Sequence, residues 1–291
     1  MKTYLDCIPC FMRQALDAAR NYTTDEAFHA QVMSEVTGLI NSIDLNKFYD
    51  SPVLTGSKIH KCVKELAGNN DPYSDIKKQQ NDSAISVSEH VRRVISESSN
   101  RISTAIRFAI AGNHIDLGAF SKVSENEILD EILKAEKVEI SGELLKTADE
   151  ISKASDVLYL LDNAGEIVFD RLLIEAIGPE KVTAVVRGGP IINDATMKDA
   201  QYCGLTDICS VIENGSEAPG TVLDMCSPHF RDLFEKSTYI IAKGQGNFES
   251  LNDEHFNGVF LFKVKCDIAA QISGLKKGQY AVLPQRKETD S

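Results

Sequence analysis

Nothing in this 291-residue sequence approaches the roughly 18 consecutive apolar residues from which a membrane-crossing helix is read, so no transmembrane helix is expected. The opening MKTYLDCIPCFMRQALDAAR lacks the unbroken apolar core of a secretory signal, because Asp6, Arg13 and Gln14 interrupt it. A surplus of positive charge is missing too. Lys and Arg number 31 against 43 Asp and Glu, a net charge of −12, and no Lys/Arg block stands out. That sign argues against a nucleic-acid backbone and against an anionic membrane surface as partner. Cysteine is sparse and odd in number, seven over the whole chain, which fits reduced thiols in the cytoplasm rather than a disulfide framework. No repeat or low-complexity segment is visible. With 43% hydrophobic and 25% charged residues the chain can bury a sizeable core, as one large domain or two ordinary ones.

The pattern changes near the middle. Up to about residue 150 it is helical: Ile8, Phe11, Met12, Ala15, Leu16 and Ala19 share one face, as do Phe28, Val32, Val36 and Ile40, and again Ile102, Ala105, Ile106, Ala109 and Ile110. Ser124 and Glu127 form a capping-box pattern before Ile128–Leu133. The polar stretch from Gly68 to Ser88 reads as a long connection. From Ser155 short apolar runs at 157–161, 182–186, 208–212, 239–242 and 259–264 alternate with helical stretches at 167–177, 195–203 and 222–234. Such alternation means βαβ units. The expected fold is α/β: a three-layer α/β/α sandwich with a mainly parallel sheet over residues 151–291, behind an N-terminal helical subdomain over residues 1–150.

Ligands of open parallel sheets sit beyond the carboxyl ends of the strands, so the residues after each run carry the functional reading. The first run is followed by Asp162, Asn163, Ala164, Gly165 and Glu166. After the second come Arg187, Gly188, Gly189 and Pro190, with Asn193 and Asp194 further on. The third run leads into Glu213, Asn214 and Gly215, and the fourth into Lys243, Gly244, Gln245, Gly246, Asn247 and Glu249. Each piece alone has an ordinary explanation as a turn, cap or solvated loop. Their convergence on one sheet edge is the signal.

Other motifs are weaker. Neither the G-x-x-x-x-G-K-[ST] phosphate loop nor the G-x-S-x-G nucleophile elbow is present. Cys7-Ile-Pro-Cys10 has no second C-x-x-C; His60 and Cys62 would complete a zinc site only through tertiary contact, and buried unpaired thiols are the simpler reading. Cys203, Cys209, Cys226 and Cys266 read as core. Gly112-Asn113-His114-Ile115-Asp116 reads as a helix C-cap with Gly112 left-handed, or as a segment that brings Asn113 and Asp116 to the mouth of the sheet.

The chemistry that suits this set is a hard divalent cation with a phosphate. Asp162, Asn163 and Asp194 offer oxygen ligands of the kind Mg²⁺ or Mn²⁺ prefers. Lys243, and Arg187 in bidentate fashion, suit phosphate oxygens, with Asn247 beside them. Glu166 and Asp170, four apart, share a helix face at the same edge.

The segments L-L-D-N-A-G-E-I-V-F-D-R-L at 160–172, R-G-G-P-I-I-N-D-A-T at 187–196 and K-G-Q-G-N-F-E at 243–249 closely resemble the domain-of-unknown-function 89 family, also called the damage-control phosphatases. D-C-I-P-C-F-x-R-Q-A-L and G-N-H-I-D resemble its prokaryotic branch. The resemblance implies a metal-dependent phosphatase on an α/β/α fold, with the metal on Asp162, Asn163 and Asp194 and with Lys243 near the substrate phosphate. Asn113, Asp116, Glu166 and Asp170 also fall on motif positions. Against the eukaryotic D-N-x-G-F-E-L pattern this chain reads D-N-A-G-E-I, one residue shorter. The expectation is therefore a cytoplasmic phosphomonoesterase using Mg, Mn, Co or Ni on a small phosphorylated metabolite such as a sugar phosphate. Asp162, Lys243 and Glu166 would be catalytic, and Lys243, Arg187, Asn113, Asp116 and Asn247 would bind substrate. Attack by water and attack by Asp162 both remain open. Rival readings are a non-catalytic phosphometabolite-binding protein and a methyltransferase or isomerase on a similar fold; the missing G-x-G at the first strand end speaks against a methyltransferase.

Overall fold

Side chains alternate across a strand, so each strand of a covered sheet serves two cores at once. In the computed structural model, which describes residues 1–43, 50–69, 71–112, 133–134 and 137–286, this alternation is plain. The strands are β1 (Ile140–Gly142), β2 (Val157–Leu160), β3 (Val182–Val186), β4 (Ser210–Glu213), β5 (Tyr239–Lys243), β6 (Gly258–Lys263) and β7 (Tyr280–Gln285). Val157, Tyr159, Ala184, Ile241 and Leu261 enter one core, while Leu158, Leu160, Val185, Ile240, Ala242 and Phe260 enter the other.

The seven strands form one sheet in the order β1-β7-β6-β5-β2-β3-β4. The five contiguous strands β6, β5, β2, β3 and β4 are parallel, and β7 runs antiparallel to β6. Leu160 of β2 lies opposite Val185 on one side and Ala242 on the other. The chain therefore leaves β2 for β3 on one flank and later returns as β5 on the opposite flank. Such a reversal opens a crevice at the strand ends, where ligands of this architecture bind.

One face is covered by α4 (Ser74–Glu97), α5 (Arg101–Ala111), α6 (Leu144–Lys153), α7 (Glu166–Ile177) and α8 (Met197–Tyr202). The other is covered by α9 (Pro228–Lys236), α10 (Gly244–Leu251) and α11 (Asp267–Ser273), whose core is aromatic. Phe248 stacks on Phe262 and meets Phe260 edge-on; burying each such ring is worth about 1.5–3 kcal/mol. The remaining helices, α1 (Cys7–Tyr22), α2 (Glu26–Asn41) and α3 (Pro52–Ala67), close around a separate core of Phe11, Ala15, Val32, Val36, Ile59 and Val63. The fold is α/β with helices on both faces of a mostly parallel sheet, as the alternation of runs predicts. Among the described residues no helix is long and apolar enough to cross a membrane.

Four details differ from the sequence reading. The stretch from Gly68 to Ser88 is not a connection: most of it is α4, whose buried stripe is partly polar (Lys77, Asn81, Ala84, Val87, Val91, Ile95) and so hides the helical period. The helix expected at 222–234 starts only at Pro228, because Ser227 caps it by accepting from Phe230 N–H and Pro228 occupies the first turn. Gly112 is right-handed, with φ −51°, and its N–H bonds back to Phe108. Finally, residues 140–142 and 280–285 add a pair of strands at one end of the sheet, too short or too mixed in polarity to show as apolar runs. The capping-box helix at 124–133 lies outside the described residues apart from Leu133.

His60 of α3 is buried with Nε2 unpartnered, and desolvation, helped by Lys64, pushes its pKa down to about 4. An unfolded chain protonates His near 6.5. The unfolded state therefore holds more protons between pH 6.5 and 4, and stability falls as pH drops through that window. The shift corresponds to about 3 kcal/mol. Denaturant titrations at pH 7 and pH 4.5 should show a smaller loss in His60→Leu than in the parent; equal losses would refute this account.

Candidate active site at the ends of β2, β3 and β5

Two loops are stitched together at the carboxyl edge. Ala195 N–H donates to Asp162 carbonyl (2.7 Å), Ala164 N–H to Asn193 carbonyl (2.8 Å), and Asn163 pairs with Asp194 in an isolated antiparallel bridge. Asp162, Asn163 and Asp194 are thus held side by side by main chain. Gly165, at φ 76°, turns the chain so that Glu166 becomes the first residue of α7. Gly244, at φ 82°, does the same after β5, and a Cβ there would run into the Asp162 carboxylate.

Behind these loops lies a buried charge network. Arg187 donates from Nε to Asp194 (2.7 Å) and from Nη1 to Thr221 and Asn247 (both 3.3 Å), with Nη2 3.7 Å from Asp162. Lys243 donates to Asp170 (2.7 Å) and Glu166 (3.3 Å), and Tyr159 hydroxyl donates to the same Asp170 oxygen. Asn163 amide donates to Asp162 (2.9 Å) and Glu166 (2.8 Å). Asn247 donates to the carbonyls of Leu161 and Lys243, tying β5 to β2.

Four carboxylates (Asp162, Glu166, Asp170, Asp194) share this interior with two cations, Arg187 and Lys243. The balance shows in proton affinity. Burial pushes Glu166 up to about 8, with Lys243 opposing and Asp162 adding to the rise. It pushes Asp194 up to about 7 against the pull of Arg187, and raises Asp170 against Lys243. Lys243 is itself raised: burial disfavours its charge, but Asp170 and Glu166 outweigh that cost.

In front of the network opens a cavity of about 850 Å³, bounded by Asp162, Asn163, Glu166 and Asp194 on the sheet side and by α1, α3 and α4 residues opposite. Its size suits a small ligand, for which pockets of about 300–1,000 Å³ are usual. Among the predicted catalytic, substrate and metal residues these four reach the wall, joined by Asn193, Gln245, Gly246 and Glu249 of the same strand-end segments. Lys243, Arg187 and Asn247 are 0%, 2% and 0% exposed and stand behind it. Asn113 and Asp116 lie outside the described residues. The donor set fits a hard divalent cation, since two carboxylates and an amide oxygen would leave coordination positions open and a cation would offset the excess negative charge. Among the described residues no three His, Cys, Asp or Glu side chains already converge as ligands, so such an ion would complete its shell from outside this set.

The thiols depart from their sequence reading. Cys10 is exposed and Cys7 half-buried, and both line the cavity together with Cys266, which is the N-cap of α11 rather than core. Cys203 and Cys226 are buried as expected, and Cys209 is half-buried.

The sequence reading misses α4. Asn81 accepts from Gly165 N–H (2.7 Å) and donates to Asp199 (3.1 Å), which also pairs with Lys77 (3.3 Å) and caps α8. Gln80, in the cavity wall, accepts from Asn193 amide (3.2 Å). The available signal was that Lys77, Asn81 and Ala84 lie on the same stripe as Val87, Val91 and Ile95.

Asn81→Ala would leave Gly165 N–H buried without an acceptor, a loss of about 1–3 kcal/mol. We expect that loss in denaturant unfolding; an unchanged midpoint would show that Gly165 finds another acceptor. Gly244→Ala meets both a positive φ and the Asp162 carboxylate, and should cost more stability than Gly274→Ala, where φ is also positive but nothing lies within 4 Å. Equal costs would dismiss the carboxylate contact.

Comparison with known proteins places this site in context. The family model for the damage-control phosphatase ARMT1-like domain matches residues 3–280. The chain is 34% identical to an uncharacterised protein of Methanocaldococcus jannaschii, covering 96% of this chain and 94% of that one. It is 33% identical to a protein named damage-control phosphatase from Archaeoglobus fulgidus (94% and 95% covered), and 32% identical to one so named from Pyrococcus horikoshii (96% of each). The crystal structure of a DUF89 family protein from Pyrococcus horikoshii superposes with a TM-score of 0.90 at 29% identity, over 98% of this chain and 100% of that one. The chain belongs to the damage-control phosphatase ARMT1-like family, the DUF89 family.

Proposed function

We propose that this protein is a divalent-metal-dependent phosphomonoesterase acting on small phosphorylated metabolites, sugar phosphates among them. The observation that carries the reading is the surplus of buried carboxylate at the β2 and β3 ends, facing a cavity of about 850 Å³. Relatives named phosphatases, similar over nearly the whole chain, support the same reaction class.

Asp162, Asn163 and Asp194 would hold the ion (Mg, Mn, Co or Ni), which when bound supplies positive charge to a phosphate oxygen and offsets the charge developing there. The chain's own groups do the rest. Arg187 holds Asp194 and approaches Asp162, so the two acids keep their separation when unliganded. Lys243 holds Glu166 and Asp170 in the same way from the β5 side. In this reading Lys243 and Arg187 shape and neutralise the acid cluster, and Asn247 locks the strand ends on which both stand. Glu166, bonded to Asn163 at the wall, would hold or pass on the proton that the leaving oxygen needs. Asp162 is fixed by Asn163 and packed against Gly244, so it serves better as an anchored ligand than as a mobile nucleophile, which favours water as the attacking group.

Protein stripped of metal should release no phosphate from sugar phosphates or p-nitrophenyl phosphate, and resupply of Mg²⁺, Mn²⁺, Co²⁺ or Ni²⁺ should restore release. Asp162→Ala, still folded, should lose about 100-fold or more in kcat, the scale for one lost electrostatic contact to a transferring group. Turnover that is indifferent to metal would refute the metal assignment. Absence of turnover with every metal would leave a binding protein. A phospho-adduct on Asp162 would transfer the attack from water to that carboxylate.

A further inference from the structure

The proposed hydrolysis makes no use of sulfur, yet three thiols stand on the cavity wall. Cys7, Cys10 and Cys266 line it, Cys10 exposed and the other two half-buried. Their surroundings differ in kind from those of the buried thiols. Cys226 donates S–H to Val222 carbonyl (3.2 Å), as a protonated thiol does. The three cavity sulfurs instead accept. Tyr4 N–H donates to Cys7 (3.4 Å), Gln14 Nε2 to Cys10 (3.2 Å), and Ala269 N–H and Gln245 Nε2 to Cys266 (3.4 and 3.5 Å). An N–H donor aimed at sulfur favours the thiolate, which is the form that reacts. Proton affinity shows the same contrast. Burial pushes Cys203 up to about 12 and Cys226 up to about 11; it raises Cys7 as well, but there Tyr4 N–H pulls the thiol back.

Two of the three are also paired by the helix that carries them. Cys7 is the first residue of α1 and Cys10 stands three further on, so they share a face of its first turn. Side chains so spaced have Cβ atoms about 5–6 Å apart, against about 3.5–4.5 Å in a disulfide, so a bridge needs this turn to tighten by about 1–2 Å. Pro9 between them has no N–H and gives up no helical bond. Cys266 belongs to another element, where its sulfur is already committed to capping α11.

We infer that Cys7 and Cys10 form a reversible disulfide in the cavity wall, made by exchange with a low-molecular-weight disulfide of the glutathione kind. Cys10, the exposed thiol, attacks one sulfur of the external disulfide as its thiolate. The external S–S bond breaks, one external thiolate leaves, and a mixed disulfide stands on Cys10. Cys7 then attacks the Cys10 sulfur and expels the second external thiolate. The external disulfide gains two electrons, the two cysteines lose them, and their two protons end on the departing thiols. Since α1 supplies Cys7, Pro9, Cys10 and Phe11 to the wall, the bridge tightens the side of the cavity that faces Asp162 and Asp194. The pair is independent of the phosphomonoesterase reading and would form in a chain that hydrolyses nothing.

The test is mass spectrometry of tryptic peptides from the native full chain, incubated with oxidised glutathione and then alkylated. Cys7 and Cys10 fall on one peptide, Thr3–Arg13, and Cys266 on another, Cys266–Lys276. Oxidation should leave Thr3–Arg13 lighter by two hydrogens and closed to alkylation, and dithiothreitol should restore both thiols. In Cys7→Ser the first exchange runs and the second cannot, so Cys10 should retain one glutathione. A Thr3–Arg13 peptide that stays reduced in the parent overturns the proposal. So does a cross-link between Thr3–Arg13 and Cys266–Lys276, which would set the bridge across the cavity instead. A folded Cys7→Ser chain that takes up no glutathione removes Cys10 as the attacking thiol. None of these readouts depends on phosphate release, so the thiol pair and the phosphatase reading can fail separately.

Discussion

The site depends on buried like charge held in place by two cations. Four carboxylates at the ends of β2, β3 and α7 share an interior with Arg187 and Lys243, and burial, with like charge adding to it, drives the proton affinities of Glu166, Asp170 and Asp194 up. Such a cluster persists only where the surrounding structure over-determines it. Here the Asn163–Asp194 bridge, the Asn247 bonds across β5 and β2, and the glycine turns at 165 and 244 do so. The aromatic core beneath α10 and the aliphatic core beneath α7 hold the frame on which this arrangement rests.

Much of this was legible from residue order. Five apolar runs became the five parallel strands; β2, β3, β5 and β6 are buried on both faces and so have few polar positions to interrupt them. The residues following four of those runs then had to meet along one edge. Depth was harder to read. Lys243 directly follows a run, as Asp162 does, yet the lysine ends behind the wall while the aspartate reaches it. Strand parity carries part of the answer: Lys243 shares its face with Tyr239 and Ile241, and so points into the layer where α7 brings Glu166 and Asp170.

The contribution of α4 was illegible for a physical reason. A helix that buries Lys77 and Asn81 cannot show a clean apolar stripe, and its polar stretch looks like a loop until the partners Asp199 and Gly165 are placed. Local inconsistency of this kind is expected where function or long-range pairing overrides binary patterning.

The α4 contacts also bear on how the molecule assembles. Lys77 and Asp199 are 122 residues apart, and Asn81 and Gly165 are 84 apart. Contacts so distant in sequence carry a loop-closure cost before they return anything. The α4 stripe must therefore keep its lysine and asparagine hydrated until the chain through α8 has been made and folded. Only then does Asn81 cap the turn that presents Asn163 and Glu166. The geometry of the charge cluster is therefore tied to contacts that span most of the chain rather than to its own loops.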